Sequence, residues 1–335
     1  MAPSILLVRF SAIGDILLTT PLVRALRARH PSAAITYVTR AAYAPLLARN
    51  PHLTEVIAWE PGTPIGRLAR ELRARPFTHR LDLHGSMRSR WLRWRMGGRW
   101  TGYPKLRLAR TALIRWKRDW YRDRRPVAER YFDAARGLDV EPDGGPPECF
   151  VSAAAVREAD DFLRERGIGT ARQLIALAPG AAHATKRWPV HHWASLARHL
   201  VSSGNDLVVV GGPDDLLLGA QVAGAVGERA ANAAGAFDLL GTAAILKRSR
   251  ALIGGDTGVM HLATAVGTPV VALFGPTVER FGFFPYGAKA TVVEKELPCR
   301  PCSAHGGPVC PLRHHRCLQD LMPDEVLEAL RKLPR

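Results

Sequence analysis

The sequence holds no run of about 18 uncharged apolar residues, so no segment of it reads as a membrane-spanning helix. Met1-Ala2-Pro3-Ser4 leads straight into a strand-like run. It lacks the basic start, apolar middle and small-residue cleavage site of a signal peptide, and a cytoplasmic protein is expected. Neither G-x-G-x-x-G nor G-x-x-x-x-G-K-[ST] occurs, which argues against the usual dinucleotide fingerprint and against a P-loop NTPase. There is no H-E-x-x-H, no nucleophile elbow, and no D-x-D pair at a clear strand end to hold a catalytic divalent ion. Cysteine is scarce, at five residues. Four of them, Cys299, Cys302, Cys310 and Cys317, crowd together with His305, His314 and His315 between them. Such density can bind a structural zinc, but there is no second C-x-x-C and the wider gaps fit no common ribbon. Reduced free thiols are the expectation and zinc is the alternative. Cys149 stands apart and is expected to be buried.

Acidic residues are also short, at 30 against 47 Lys plus Arg, for a net charge of +17. Residues 1–150 carry +14 of this and residues 151–335 only +3. That asymmetry points to an acidic partner for the first half: a phosphorylated substrate, an anionic membrane or nucleic acid. The bland alternative is a solubilising Arg-rich surface. At 335 residues the chain is long enough for two domains, each with its own core.

Short apolar runs alternate with helical stretches. Ile5–Phe10, Ala34–Thr39, Val56–Trp59 and Arg80–His84 read as strands, with a helix from Ile16 to Arg29 despite Pro21. The turn-rich Asp139–Pro147 reads as a boundary. A helix over about 153–166 follows, then strands at Leu174–Ala178, Leu207–Val210, Leu252-Ile253 and Val270–Phe274. The fold class is therefore α/β, two doubly wound parallel-sheet units, 1–150 and 151–335. Ligands of such sheets bind outside the carboxyl ends of the strands, and two facing units would make a cleft between their loops.

Four segments at or near those ends carry the chemistry. In Ser11-Ala12-Ile13-Gly14-Asp15, Gly14 permits close approach, and Asp15 is either a helix cap or a general base. Pro179-Gly180-Ala181-Ala182-His183-Ala184-Thr185-Lys186-Arg187-Trp188-Pro189 offers small residues, a hydroxyl and cations for a diphosphate, with Lys186 a mobile point charge. In Gly254-Gly255-Asp256-Thr257-Gly258-Val259-Met260-His261, Asp256 or Thr257 would cap a helix whose first amides face an anion, with His261 a turn further on. Alternatively it is an ordinary capped helix behind a buried strand. The fourth segment, residues 86–125, interleaves fourteen Lys or Arg with Trp91, Trp94, Trp100, Tyr103, Trp116, Trp120 and Tyr121. It suits an anionic membrane surface or lipid head group better than nucleic acid, for which no motif is present. A core-packed, Arg-rich face is the plain alternative.

Taken together, these segments resemble the lipopolysaccharide heptosyltransferases of glycosyltransferase family 9, most closely the heptosyltransferase II branch. The resemblance runs through Leu7–Pro21, Pro179-Gly180-Ala181, Lys186–Pro189, Asp256–Ala263, Phe274-Gly275-Pro276-Thr277 and Pro298–Cys302. It implies the GT-B fold of two Rossmann-like domains, the first for the acceptor and the second for the donor. It implies inverting transfer of a heptose from an ADP-heptose-type donor to the lipopolysaccharide inner core, with no required metal or cofactor. Asp15 then matches the catalytic base. Gly180, Thr185, Lys186, Asp256, Thr257, Gly258 and His261 match donor-binding positions. Ser11, Gly14, Arg88 and Arg90 are the candidate acceptor contacts. The enzyme would work at the cytoplasmic face of the inner membrane. One departure stands out: Asp214-Asp215 follows Gly211-Gly212-Pro213 where the family often has a Glu for the donor ribose. A related transferase using another nucleotide-sugar, or a non-catalytic protein binding an anionic glycolipid, are the competing readings.

Overall fold

Buried on both faces, the strands of a parallel sheet read as near-continuous apolar runs. The computed structural model describes residues 2–334; Met1 and Arg335, the outer limits of the two expected domains, lie outside the described residues. One sheet contains β1 (Ser4–Val8), β2 (Ala34–Arg40), β3 (Glu55–Trp59), β4 (His79–Asp82) and β5 (Thr101–Gly102), in the order β3-β2-β1-β4-β5. The other contains β6 (Leu174–Ala178), β7 (Asp206–Val209), β8 (Ala230–Asn232), β9 (Ala251–Gly255), β10 (Val270–Phe274) and β11 (Ala290–Glu294), in the order β11-β10-β9-β6-β7-β8. Every pairing is parallel, with helices in most crossovers. The α/β, doubly wound expectation therefore holds. Central strands β6, β9 and β10 are buried along their whole length. The strands the sequence pattern does not announce, β5, β8 and β11, lie in the outer positions of the sheets, where short or polar stretches suffice.

The single helix expected from Ile16 to Arg29 is two, Ile13–Leu17 and Thr20–Arg29. Pro21 sits in the first turn of the second, where its missing N–H costs nothing; deeper in a helix it would break the ladder. Among the described residues no helix is long and apolar enough to cross a membrane.

Two compact units result, one of Met1–Lys105 with Arg125–Phe150, the other of Leu106–Arg124 with Val151–Arg335. This differs from a single cut near residue 150 in one segment, 106–124, which packs with the second unit. Lys117 holds it there, its Nζ donating to the carbonyls of Cys299 and Pro301 at 2.8 and 2.6 Å. The Arg280 guanidinium reaches Asp119 at 3.1 Å, and Arg110 lies over the Phe281 ring at 5.4 Å. The segment carries seven Lys or Arg against two Asp. Reassigning it leaves the units with net charges of +9 and +8, so the uneven halves of the sequence become evenly basic units.

Candidate functional site

Doubly wound sheets bind ligands where the strand order reverses, at the carboxyl ends of the two strands flanking that point. In the first sheet the reversal falls between β1 and β4, in the second between β6 and β9. The segments that follow these four strands contain Asp15, in the first turn of a helix, and His84, Lys186 and Asp256, in the connecting loops, respectively.

At the first reversal, Asp15 lies within the first turn of the Ile13–Leu17 helix; the N-cap position is Ala12, with no side-chain cap. Its carboxylate faces the Arg9 guanidinium, Nη2 to Oδ2 2.6 Å, and remains 23% exposed. The Tyr131 hydroxyl donates to its other oxygen at 3.2 Å. Arg9 is itself buried and held by three further acceptors. Its Nε donates to the Ser11 carbonyl at 2.7 Å, and its Nη1 to the Leu83 carbonyl at 2.6 Å and the Tyr103 hydroxyl at 3.3 Å. Burial pushes the Asp15 carboxyl upward. The charge of Arg9, a bond from the Ala12 backbone and the bonds from Arg9 and Tyr131 outweigh that and hold it below its ordinary value. Burial raises Tyr131, which therefore stays a protonated donor. His84 packs edge-on against Phe10, ring centroids 5.5 Å apart. Burial first, then the charges of Arg9 and Lys105, lower its imidazole to about 4, so it is neutral at physiological pH. The site is an ionised, partly accessible carboxylate in a cationic and phenolic frame.

Of the expected acceptor contacts, Ser11 and Gly14 share this loop, the Ser11 carbonyl helping to hold Arg9. Arg88 stacks over Trp59 at the end of β3, 5.2 Å from the ring centroid. Arg90 is exposed on the Met87–Met96 helix. Sequence reasoning missed Arg9, Tyr131 and His84. A charged residue at the end of a buried strand was the available signal for Arg9. Nothing local marks Tyr131, which is 116 positions from the carboxylate it touches.

At the second reversal, Lys186 is not a mobile point charge. Its Nζ lies 2.6 Å from Asp256 Oδ2 and also donates to the Asp256 carbonyl at 3.2 Å. Thr277 Oγ1 donates to the same carboxylate oxygen at 2.7 Å. Tied up in this way, Asp256 does not cap the Gly258–Ala265 helix. Thr257 occupies the N-cap position, but its side chain forms no cap bond. The expected side-chain cap is absent, and the first-turn amides keep their affinity for an anion. The Thr257 hydroxyl is buried with no hydrogen-bond partner, which suits a ligand oxygen. His261 is buried one turn further on. Thr185 points elsewhere and braces a neighbouring turn. Its hydroxyl donates to the Gly307 carbonyl at 3.1 Å and accepts from the Gly307 N–H at 2.8 Å.

Two glycines set the approach of these loops. A Cβ at Gly255 would sit 3.1 Å from the Lys186 carbonyl. A Cβ at Gly180 would fall 2.1 Å from the Asp215 carboxylate, which accepts the Gly212 N–H at 3.0 Å. Asp215 is thus part of the loop framework beside β6. Gly180→Ala is expected to expel Asp215 and to weaken binding of an anionic ligand at these loops by about 10-fold, as one lost charge-assisted hydrogen bond and its disorder would. Calorimetric titration of wild type and variant reads this directly.

The four-cysteine cluster forms no group of three or more possible metal ligands among the described residues. Cys299 Sγ approaches His314 Nε2 at 3.9 Å. Cys317 instead joins the apolar core with Leu318 and Leu321, and burial pushes its thiol to about 11. Cys149 is buried, its thiol pushed to about 12 by the same cause.

Comparison with known proteins identifies the family and the fold. The family model for glycosyltransferase family 9 (heptosyltransferase) matches residues 65–310. Lipopolysaccharide heptosyltransferase 2 of Salmonella typhimurium is 29% identical over 355 residues, covering 98% of each chain. The crystal structure of a family 9 glycosyl transferase from Veillonella parvula is similar with a TM-score of 0.81 at 25% identity, covering 98% of this chain and 96% of that one. ADP-heptose lps heptosyltransferase II of E. coli is similar with a TM-score of 0.75 at 27% identity, covering 98% and 97%.

Proposed function

The chain belongs to glycosyltransferase family 9, the heptosyltransferase family, and from that premise we propose that it transfers a heptose from ADP-heptose to the lipopolysaccharide inner core, with inversion and with Asp15 as general base. It is a glycosyltransferase with the two Rossmann-like sheets of the GT-B class. The observation that carries the reading is the pairing of Arg9 with Asp15 at a strand-order reversal. It keeps an accessible carboxylate ionised where a ligand of such a sheet binds.

The reaction follows from these residues. As the acceptor oxygen attacks the anomeric carbon, Asp15 takes the hydroxyl proton. The bond from that carbon to the phosphate oxygen breaks, and ADP leaves with the negative charge. A carboxylate held low is a modest base, so proton transfer belongs with bond formation in the transition state rather than before it. Charge on the leaving diphosphate is met by Lys186 and by the uncapped amides at Gly258. The diphosphate competes with Asp256 for the Lys186 ammonium, and the loop carrying Lys186 responds to donor binding. The acceptor is lipid-anchored, and the enzyme works peripherally at the cytoplasmic face of the inner membrane.

Donor choice is read from protection against thermal unfolding by a panel of nucleotide-sugars. At 100 times its dissociation constant the true donor adds about 2.7 kcal/mol of stability. ADP-sugars are expected to protect, and Lys186→Ala to lose most of that protection. Protection by UDP- or GDP-sugars without protection by ADP-sugars replaces the heptose reading with another nucleotide-sugar.

A further inference from the structure

The Met87–Met96 helix follows directly on the loop leaving β4. Ser86 and Ser89 fix its start in a reciprocal cap, and Ser89 Oγ also donates to Asp82 at 3.0 Å. Leu92 and Met96 pack into the core with Leu6, Val8 and Trp59. One face is thus anchored. The other carries Met87, Trp91 and Trp94, which are 79%, 45% and 69% exposed. Spaced at i, i+4 and i+7, they form one stripe. The two indoles lie 4.9 Å apart, and the Arg95 guanidinium stacks on both, 4.9 and 5.3 Å from their centroids. From residue 83 to residue 105 there are six Lys or Arg and no Asp or Glu. Arg88, Arg90, Arg95 and Arg99 have no carboxylate partner among the described residues; Arg93 reaches only Asp82, at 3.5 Å.

A face meant only to keep the protein in solution needs the arginines but not three large apolar side chains held in water. A bilayer surface needs both. Its phosphates take the cations, and its interfacial layer takes indole rings, which have an apolar body and a polar edge. A nucleic-acid duplex would meet the arginines and leave Met87 and the paired indoles wet. We infer that the Met87, Trp91 and Trp94 face docks the first unit onto an anionic phospholipid bilayer. This names the surface for the peripheral association proposed above, and it rests on that reading only for its purpose. The start of the helix lies at the carboxyl edge of the sheet that also carries Asp15: Arg88 stacks on Trp59, and His84 packs edge-on against Phe10. Docking there brings a membrane-anchored acceptor to the edge where its hydroxyl is needed.

Co-sedimentation with phosphatidylglycerol-containing vesicles tests the surface, with phosphatidylcholine vesicles alongside and no donor or acceptor present. Docking and sugar transfer can therefore fail independently. The wild type is expected to partition onto anionic vesicles about 10-fold or more above phosphatidylcholine, and the W91S/W94S variant to lose about 10-fold of that binding. Arg95→Gln lowers it about 5-fold. The double variant's unfolding midpoint and its rate on a detergent-solubilised acceptor stay at wild-type values, because the indoles are exposed and outside the reacting groups. Equal partition onto both vesicle types overturns the inference. So does undiminished binding by W91S/W94S, or salt-sensitive binding to duplex DNA without vesicle binding.

Discussion

Asp15→Ala is expected to lower the rate of sugar transfer by about 10²- to 10⁴-fold, the usual worth of a positioned general base, and to leave protection by ADP-sugars unchanged. The two readouts separate because the donor-side groups, Lys186, Asp256 and the Gly258–Ala265 helix, share no bond with Asp15. The alanine also leaves Arg9 buried without its anion, though still held by the Ser11 and Leu83 carbonyls and the Tyr103 hydroxyl. Asp15→Asn controls for the lost contact rather than the lost charge: its amide oxygen can still accept from Arg9, while the base and the anion are both gone. Both variants are expected to be slow, the Asn form with the better-preserved unfolding midpoint. Wild-type turnover in the Asn form removes Asp15 from the chemistry. A wild type that binds donor and acceptor yet transfers nothing supports the alternative of a non-catalytic glycolipid-binding protein.

Arg9→Met gives the second large effect, on stability and on pH dependence together. Breaking a buried ion pair from one side costs about 3–5 kcal/mol, because the remaining charge is left without its partner. In the wild type the folded-state value of Asp15 lies below the unfolded one. Asp15 therefore adds stability that is fully present above about pH 4 and drains away as pH falls through the folded-state value. Without Arg9 the largest remaining influence is burial, which raises the carboxyl. The sign then reverses: the ionised form costs stability at neutral pH, and acidification relieves that cost. Unfolding free energies measured from pH 4 to 7 are expected to rise with pH less steeply in the variant than in the wild type. The acid limb of the rate profile should move to higher pH, because the charge that holds the carboxyl low is gone. Arg9→Lys keeps the charge but not the four-way hydrogen bonding, and recovers only part of both. An unmoved acid limb would show that Arg9 does not set the proton affinity of Asp15.

Much of this was legible in the residues because parallel sheets write themselves plainly. Leu174–Ala178 and Val270–Phe274 stand where their apolar runs say they should, since burial on both faces forces every residue to be apolar. Thr101–Gly102 and Ala230–Asn232 have no such constraint, and no pattern betrays them. Asp15, Lys186 and Asp256 were visible because each follows a strand and a turn-forming residue. Their partners were less so. That Lys186 and Asp256, 70 positions apart, face each other depends on β6 and β9 being neighbours in the sheet. A spacing rule along the sequence cannot supply that adjacency. The same holds for Tyr131 on Asp15. Thr185 shows the converse, a residue in the expected loop whose hydroxyl is consumed by the turn at Gly307.

The placement of residues 106–124 in the second unit means that neither unit is one unbroken length of polypeptide. A gene severed at codon 150 would leave this piece on the wrong fragment. The upstream product would carry an orphan stretch rich in Trp and Arg, and the downstream product would lack the lysine that clasps its Cys299–Pro301 turn. Evolution by swapping the first unit among such transferases would meet the same obstacle, because a clean exchange needs three splice points rather than one.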